Sequence, residues 1–207
     1  MIRRFFQSSA SGDNITLGMI ATVSFDPTRD GRAQNVSFVS ETPEQTRELK
    51  IRDLDKAFRE AQATEAVFSK GMKEYQDKNT DAINRVLKIE QSGEGKIGKD
   101  AAVQTAWRKW RDDSSVAQKK VSEARVALQA ERRVADLSLP DKDVTAFDAT
   151  EATKEVTVTA DVKTPDNQSV KKTLVLTLQR VVLKDTAGKR IEGKWMITGL
   201  KEAGGGK

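Results

Sequence analysis

The chain has 207 residues and a net charge of +5, and 32% of its residues are charged while only 5% are aromatic. It contains no cysteine and no histidine. This excludes disulfide bonds, a zinc site of the usual Cys/His type, and nucleophile systems that need either residue. Positive and negative residues are interspersed, which does not favour a nucleic-acid partner. The high charged content is typical of long exposed helices.

Two short helices are predicted at the start of the chain. Phe5 and Phe6 lie at helical spacing from other apolar residues, and Gly12 supplies a stop signal. Asp13 or Asn14 can cap a second helix.

A strand is predicted after the turn residues around Pro27. Val36 and Phe38 alternate with polar neighbours there, and this period of two is typical of a strand.

An unbroken heptad pattern is the clearest feature of the sequence. Steps of three and four residues alternate through two segments, and each segment predicts a helix with an apolar seam that faces another helix. The seam of the first arm consists of Ile51, Leu54, Phe58, Ala61, Glu65, Phe68, Met72, Tyr75, Asn79, Ala82, Val86 and Ile89. The seam of the second arm consists of Val103, Trp107, Trp110, Ser114, Ala117, Val121, Ala124, Leu128, Glu131 and Ala135.

The glycine-rich residues 91–99 predict a short connection between the arms, and a short connection makes the helices antiparallel. The prediction is therefore a projecting coiled-coil hairpin over residues 43–140. Four polar seam residues weaken this seam, although such residues can fix its register. They are Glu65, Asn79, Ser114 and Glu131.

Two tryptophans lie near the connection, and two interpretations of them stay open. Trp107 and Trp110 are expected to pack against Val86 and Ile89 inside the hairpin. Alternatively, they anchor a partner, because aromatic residues are favoured at interfaces. The basic residues interleaved with the tryptophans, Arg108 and Arg111, would then contribute to partner binding.

After Pro140 the pattern changes to a period of two. Alternation in residues 156–162 and 174–178, and again from about 192 to 200, predicts three strands with turns at 165–167 and 185–188. Short turns between successive strands indicate an antiparallel meander.

The two ends of the chain resemble the nuclear-transport-factor-2-like superfamily, and especially its small bacterial extracytoplasmic domains. The resemblance lies in the order of elements, in the Gly12-Asp13 step, and in the closing strand Gly193-Lys194-Trp195-Met196-Ile197. It implies a cone-shaped α+β head over residues 1–42 and 141–203, split by the hairpin, with a flexible tail at 204–207. It also favours an extracytoplasmic location.

The resemblance further implies a curved antiparallel sheet that sometimes encloses a pocket. Phe5, Phe6, Phe38 and Trp195 are the candidates to line such a pocket, although we favour the interpretation that they belong to the core. Enzymes of the superfamily place a carboxylate and a tyrosine or histidine in that pocket. The chain has no histidine, and its only tyrosine, Tyr75, lies in the hairpin. No catalytic residue is therefore carried over.

We expect a non-enzymatic binding or scaffold module that uses its coiled-coil arm to contact a partner protein or a second copy of itself. The alternative is a small-ligand-binding or enzymatic pocket in the head. No cofactor or metal is expected, because the paired acidic residues fit helix faces and turns. Contact with a membrane is expected only through an anchor outside this chain.

Overall fold

A computed structural model describes residues 1–93, 95, 97–185 and 187–204. Some predicted features lie partly outside the described residues. They are residues 205–207 of the predicted tail at 204–207, residues 94 and 96 of the predicted connection, and residue 186 of the last predicted turn. The fold is α+β, as predicted, with a curved antiparallel half-barrel sheet, two short N-terminal helices and a long helical insertion.

Four helices and six strands make up the described part of the chain, together with single 3-10 turns at Gly98–Asp100 and Val144–Ala146. The helices are α1 (Ile2–Ser11), α2 (Asn14–Ile20), α3 (Ile51–Ser92) and α4 (Ala101–Ser138). The strands are β1 (Arg32–Glu41), β2 (Gln45–Leu49), β3 (Asp148–Lys163), β4 (Ser169–Lys184), β5 (Arg190–Glu192) and β6 (Met196–Glu202).

The chain divides into two compact units. Residues 1–52 and 131–207 form one unit, which we call the head, and residues 53–130 form the other, which we call the hairpin. The predicted boundaries were at 42/43 and 140/141, so the head extends about ten residues further into the predicted hairpin at each boundary. Residues 45–49, which we assigned to the hairpin, instead form β2, because their backbone pairs antiparallel with β3.

The two N-terminal helices follow the predicted signals. Gly12 ends α1 in the left-handed conformation with φ 72°, which glycine adopts without steric cost. Asp13 caps α2, since its carboxylate accepts a hydrogen bond of 3.0 Å from the Thr16 backbone N–H. Phe5 and Phe6, on one side of α1, are fully buried.

The sheet is built on β3 and β4, which are 16 residues long and pair with each other along their whole length. The opposite edge of β3 pairs first with β2 and then with β1, while β4 pairs with β5 and β6. Even-numbered residues of β3 and β4 bury one face of the sheet against the N-terminal segment. The members of this core are Phe5, Phe6, Ala21, Phe25, Val156, Val158, Ala160, Val162, Leu174, Leu176, Leu178 and Ile197.

The start of α3 is tied to α4 inside the head. The Glu131 carboxylate on α4 accepts hydrogen bonds from the Lys50 backbone N–H (3.0 Å) and from Arg47 (2.8 Å). Arg47 also contacts Glu151 on β3 at 3.4 Å, and Glu151 accepts a hydrogen bond from Gln179. One carboxylate therefore joins α4, β2 and the first residue before α3.

The end of α4 is fixed to the sheet by Ser138, its last residue. The buried Ser138 hydroxyl donates to the Lys194 carbonyl (2.8 Å) and accepts from the Val181 backbone N–H (3.1 Å). Gly193 lies directly against this residue, and a Cβ there would overlap the Ser138 hydroxyl. The absence of a side chain at Gly193 is what lets the helix end approach the strand.

The Ser138→Ala variant should lower the free energy of unfolding by about 1–3 kcal/mol, because it leaves a buried N–H and a carbonyl without partners. Urea unfolding measures this loss. Ser122→Ala, an exposed serine on the same helix, is the matched control and should change the free energy by less than about 0.5 kcal/mol. Equal effects of the two variants would contradict the anchoring role of Ser138.

Candidate protein-interaction surfaces of the hairpin

The predicted heptad seam is confirmed in both arms. Every seam residue that we assigned between Ile51 and Ile89, and between Val103 and Ala135, is buried or half-buried. The arms are antiparallel: Arg125 lies 5.8 Å from the ring of Phe58, and Trp110 contacts Gly71 further along the hairpin. These two contacts define the pairing register between the helices.

Trp110 does not occupy the place that we predicted for it. Its ring packs against Gly71, with Phe68 and Tyr75 on either side at centroid distances of 6.5 and 6.4 Å. A Cβ at position 71 would lie 2.7 Å from Trp110 Cη2. The indole therefore needs the space that glycine leaves, and the expected packing on Val86 and Ile89 was wrong for this ring.

Trp107 lies inside the hairpin, with only 7% of its surface exposed. The Arg111 guanidinium lies 6.0 Å from the centre of its ring. Among the described residues the indole N–H of Trp107 has no hydrogen-bond acceptor. A partner would therefore contact the exposed side chains of Arg108 and Arg111 rather than the buried Trp107 ring.

One side of the hairpin, which we call the arginine face, carries Arg108, Arg111, Arg125, Gln104 and Glu90. Glu90 accepts hydrogen bonds from Gln104 (2.9 Å), Arg108 (3.1 Å) and Arg111 (3.3 Å). The bond from Gln104, followed by those from the arginines, holds the pKa of Glu90 below its ordinary value. Arg108 and Arg111, the predicted partner-binding cations, are thus brought together but partly neutralised within the hairpin.

The opposite side, which we call the valine face, is formed by the heptad positions c and g of both helices. Its members include Glu60, Thr64, Val67, Gly71, Lys78, Lys109, Asp113, Val116, Lys120 and Glu123. Contacts confirm the assignment of sides. Glu90, Gln104 and Arg111 all occupy position e and meet on the arginine face, whereas Arg85, at position g of α3, pairs with Asp100 in the turn before α4 at 2.8 and 2.9 Å.

Two exposed valines lie on the valine face. Val67 is 72% exposed and Val116 is 55% exposed, and the pairing register places them opposite each other on the two helices. Val126 is also 61% exposed, but it occupies the outward position f. Val67 and Val116 were not among the predicted partner-binding residues, because the prediction considered the seam positions. The sequence could have indicated them, since each is an apolar residue at a heptad position that a two-helix coiled coil leaves exposed.

Polar seam residues distort or brace the hairpin locally. Asn79 has non-helical backbone angles, φ −124° and ψ 19°, and its side chain donates to the Tyr75 carbonyl at 2.9 Å. Glu65 accepts a hydrogen bond from Ser69 one turn later. The break at Asn79 is therefore a local one, since the seam residues on both sides of it keep their phase.

Three of the four candidate pocket residues of the head lie in or against one core, and Phe38 does not. Phe5 and Phe6 pack edge to face within the filled core, with centroids 5.1 Å apart. Trp195 packs against the same core, and Lys154 and Arg180 lie 5.0 and 4.7 Å from its ring centre. Phe38 is separate from them, because it is 65% exposed on β1.

One open groove in the head has a volume of about 300 Å³ and combines apolar residues such as Phe25 and Leu174 with charged ones. Among the latter, Lys172 pairs with Glu202 at 2.9 Å. Within the described residues no group of three or more acidic side chains could hold a metal ion. No helix in that part of the chain is long and apolar enough to cross a membrane.

No family model, curated protein or solved structure matches this chain. The resemblance to the nuclear-transport-factor-2-like superfamily therefore stays a prediction.

The ion pair at the connecting end of the hairpin predicts a pH dependence. The hydrogen bond from Arg85 holds the pKa of Asp100 below its ordinary value. The pair therefore stabilises the folded hairpin above the ordinary carboxyl pKa, and this stabilisation is lost as the pH falls through the lowered one. In a carboxyl-carbon NMR titration, Arg85→Gln should raise the pKa of Asp100 towards its ordinary value. The pKa of Glu90 serves as the internal control and should not move. An unchanged Asp100 pKa would contradict the assigned cause.

Proposed function

We propose that the protein is a non-enzymatic binding or scaffold module whose hairpin contacts another protein. One observation carries this proposal: the seam closes the hairpin on itself, yet Val67 and Val116 remain exposed opposite each other on one side. Single exposed apolar residues are common on protein surfaces. A pair that faces the same direction across two helices is better explained by an interface.

The surroundings of the valines support this proposal. Trp110 is half-buried and packs on Gly71, a member of the valine face, so an aromatic ring borders the valines. Aromatic residues are favoured at the centres of interfaces, where charged residues at the rim surround them. The arginine face offers less for a partner, because Glu90 already pairs with two of its arginines.

We further propose that the head is a nuclear-transport-factor-2-like domain that acts as the scaffold for the hairpin. The curved antiparallel half-barrel and the two short helices before it support this assignment. An extracytoplasmic location remains an expectation from the same resemblance. The alternative function, a ligand or catalytic pocket in the head, has less support, because Phe5, Phe6 and Phe25 fill the face of the sheet that would enclose it.

Site-specific photo-crosslinking tests the proposed function. A benzophenone amino acid is placed at Val67 or Val116 in the full chain, and the protein is irradiated in an extract of its source cells. We expect protein adducts at both positions, with a yield about tenfold above that at the control positions Val126 and Val170, because interfaces concentrate contacts in a small central patch.

The adducts should be removed by protease and resist nuclease. Equal yields at all four positions would contradict the proposal, as would adducts that only nuclease removes. All four valines are exposed, so the control positions differ from the test positions in location and not in accessibility.

A further inference from the structure

We propose that the valine face binds a second copy of this chain, with α3 of one copy antiparallel to α3 of the other across a two-fold axis. This inference deepens the proposed function and rests on it. It commits to one partner, because the arrangement of charges along α3 is complementary to itself.

The apolar centre of the face fits such a dimer. Val67 is exposed, and Gly71, one turn later, is covered by the half-buried indole of Trp110. A two-fold axis midway between Val67 and Gly71 sets Val67 of each copy beside the Trp110 indole that covers Gly71 of the other. Thr64, on the same face, is small and allows the two helices to approach each other. The same axis brings Val116 of each copy towards the centre, since Val116 lies opposite Val67.

Charges lie symmetrically about this axis. Glu60 lies seven residues before Val67, and Lys78 lies seven residues after Gly71. In the proposed dimer, Glu60 of each copy therefore faces Lys78 of the other, and the pair occurs twice. Both residues are exposed, and Glu60 has only a loose intramolecular contact with Lys56, at 3.9 Å. Opposite charges placed in this way select one register and orientation of association.

The other two-fold arrangement, with α3 against α4 of the second copy, is disfavoured. Glu60 and Glu123 lie at the same level of the hairpin, so that arrangement sets two carboxylates against each other. In the proposed arrangement α4 meets α4, and Lys109 of one copy comes near both Glu123 and Lys120 of the other. Asp113, which pairs with Lys109 at 2.6 Å, reduces the repulsion there.

Sedimentation velocity over a range of concentrations tests this proposal on the full chain. The unmodified protein should form a concentration-dependent dimer. Glu60→Lys and Lys78→Glu should each raise its dissociation constant by about tenfold, because each creates two like-charge contacts. The double variant restores both pairs with reversed polarity, and its dissociation constant should return to within about threefold of the original.

Two further variants separate the valine face from the rest of the hairpin. Val67→Lys should abolish the dimer, whereas Val126→Lys, the same change on the outward side, should leave it intact. Circular dichroism checks that each variant keeps its helix content, which we expect because both valines are exposed.

A monomer at every accessible concentration would overturn the second-copy proposal, and so would a double variant that associates no better than the single ones. Neither result contradicts the proposed function, which predicts protein adducts at Val67 and Val116 whichever protein the partner is. Conversely, a dimer whose dissociation constant responds to Val126→Lys as strongly as to Val67→Lys would place the contact elsewhere and overturn this inference alone.

Discussion

The carboxylate of Glu131 joins α4 to the segment of chain that precedes α3. It lies on α4, accepts the Lys50 N–H immediately before α3, and pairs with Arg47 on β2. A negative group is favoured at a helix N-terminus, where backbone N–H groups lack intrahelical partners. Glu131 therefore holds this part of α4 beside the residue that precedes α3.

Ser138 provides the second constraint, seven residues further along the same helix. Its hydroxyl satisfies a backbone donor on β4 and an acceptor before β6, in a space that only Gly193 leaves open. Gly193, which lies between β5 and β6, is therefore required on steric grounds in this chain, independently of any family motif. Glu131 and Ser138 together hold the last two turns of α4 within the head, and the seam continues from there through residues whose burial is unbroken.

The sequence was sufficient to predict features set by local periodicity. The heptad steps predicted both arms and their seam, and Gly12 and Asp13 predicted the boundary between α1 and α2. Features that depend on contacts between residues distant in sequence were not predicted.

β2 forms because β3 offers a free edge to residues 45–49, which have little strand pattern of their own. Trp110 packs beside Gly71 because that glycine lies opposite it, and only the pairing register reveals this. Phe5 and Phe6 belong to the core, as we favoured, whereas Phe38 is exposed on β1.

The two faces of the hairpin differ in the side chains that remain available to a partner. On the arginine face the charges compensate one another, whereas the valine face combines exposed apolar groups with charges whose order is self-complementary. Both faces are defined by the seam, and Glu131 is a member of that seam. The most direct test is therefore Glu131→Leu, followed by urea unfolding. Since leucine suits a heptad seam, the heptad rule alone predicts a more stable protein. Our account predicts a loss of about 1–3 kcal/mol in the free energy of unfolding, because the Lys50 N–H loses its acceptor and Arg47 loses one of its two carboxylate partners. Glu65→Leu in the same seam should be neutral or stabilising. A Glu131→Leu variant more stable than the original protein would contradict the account.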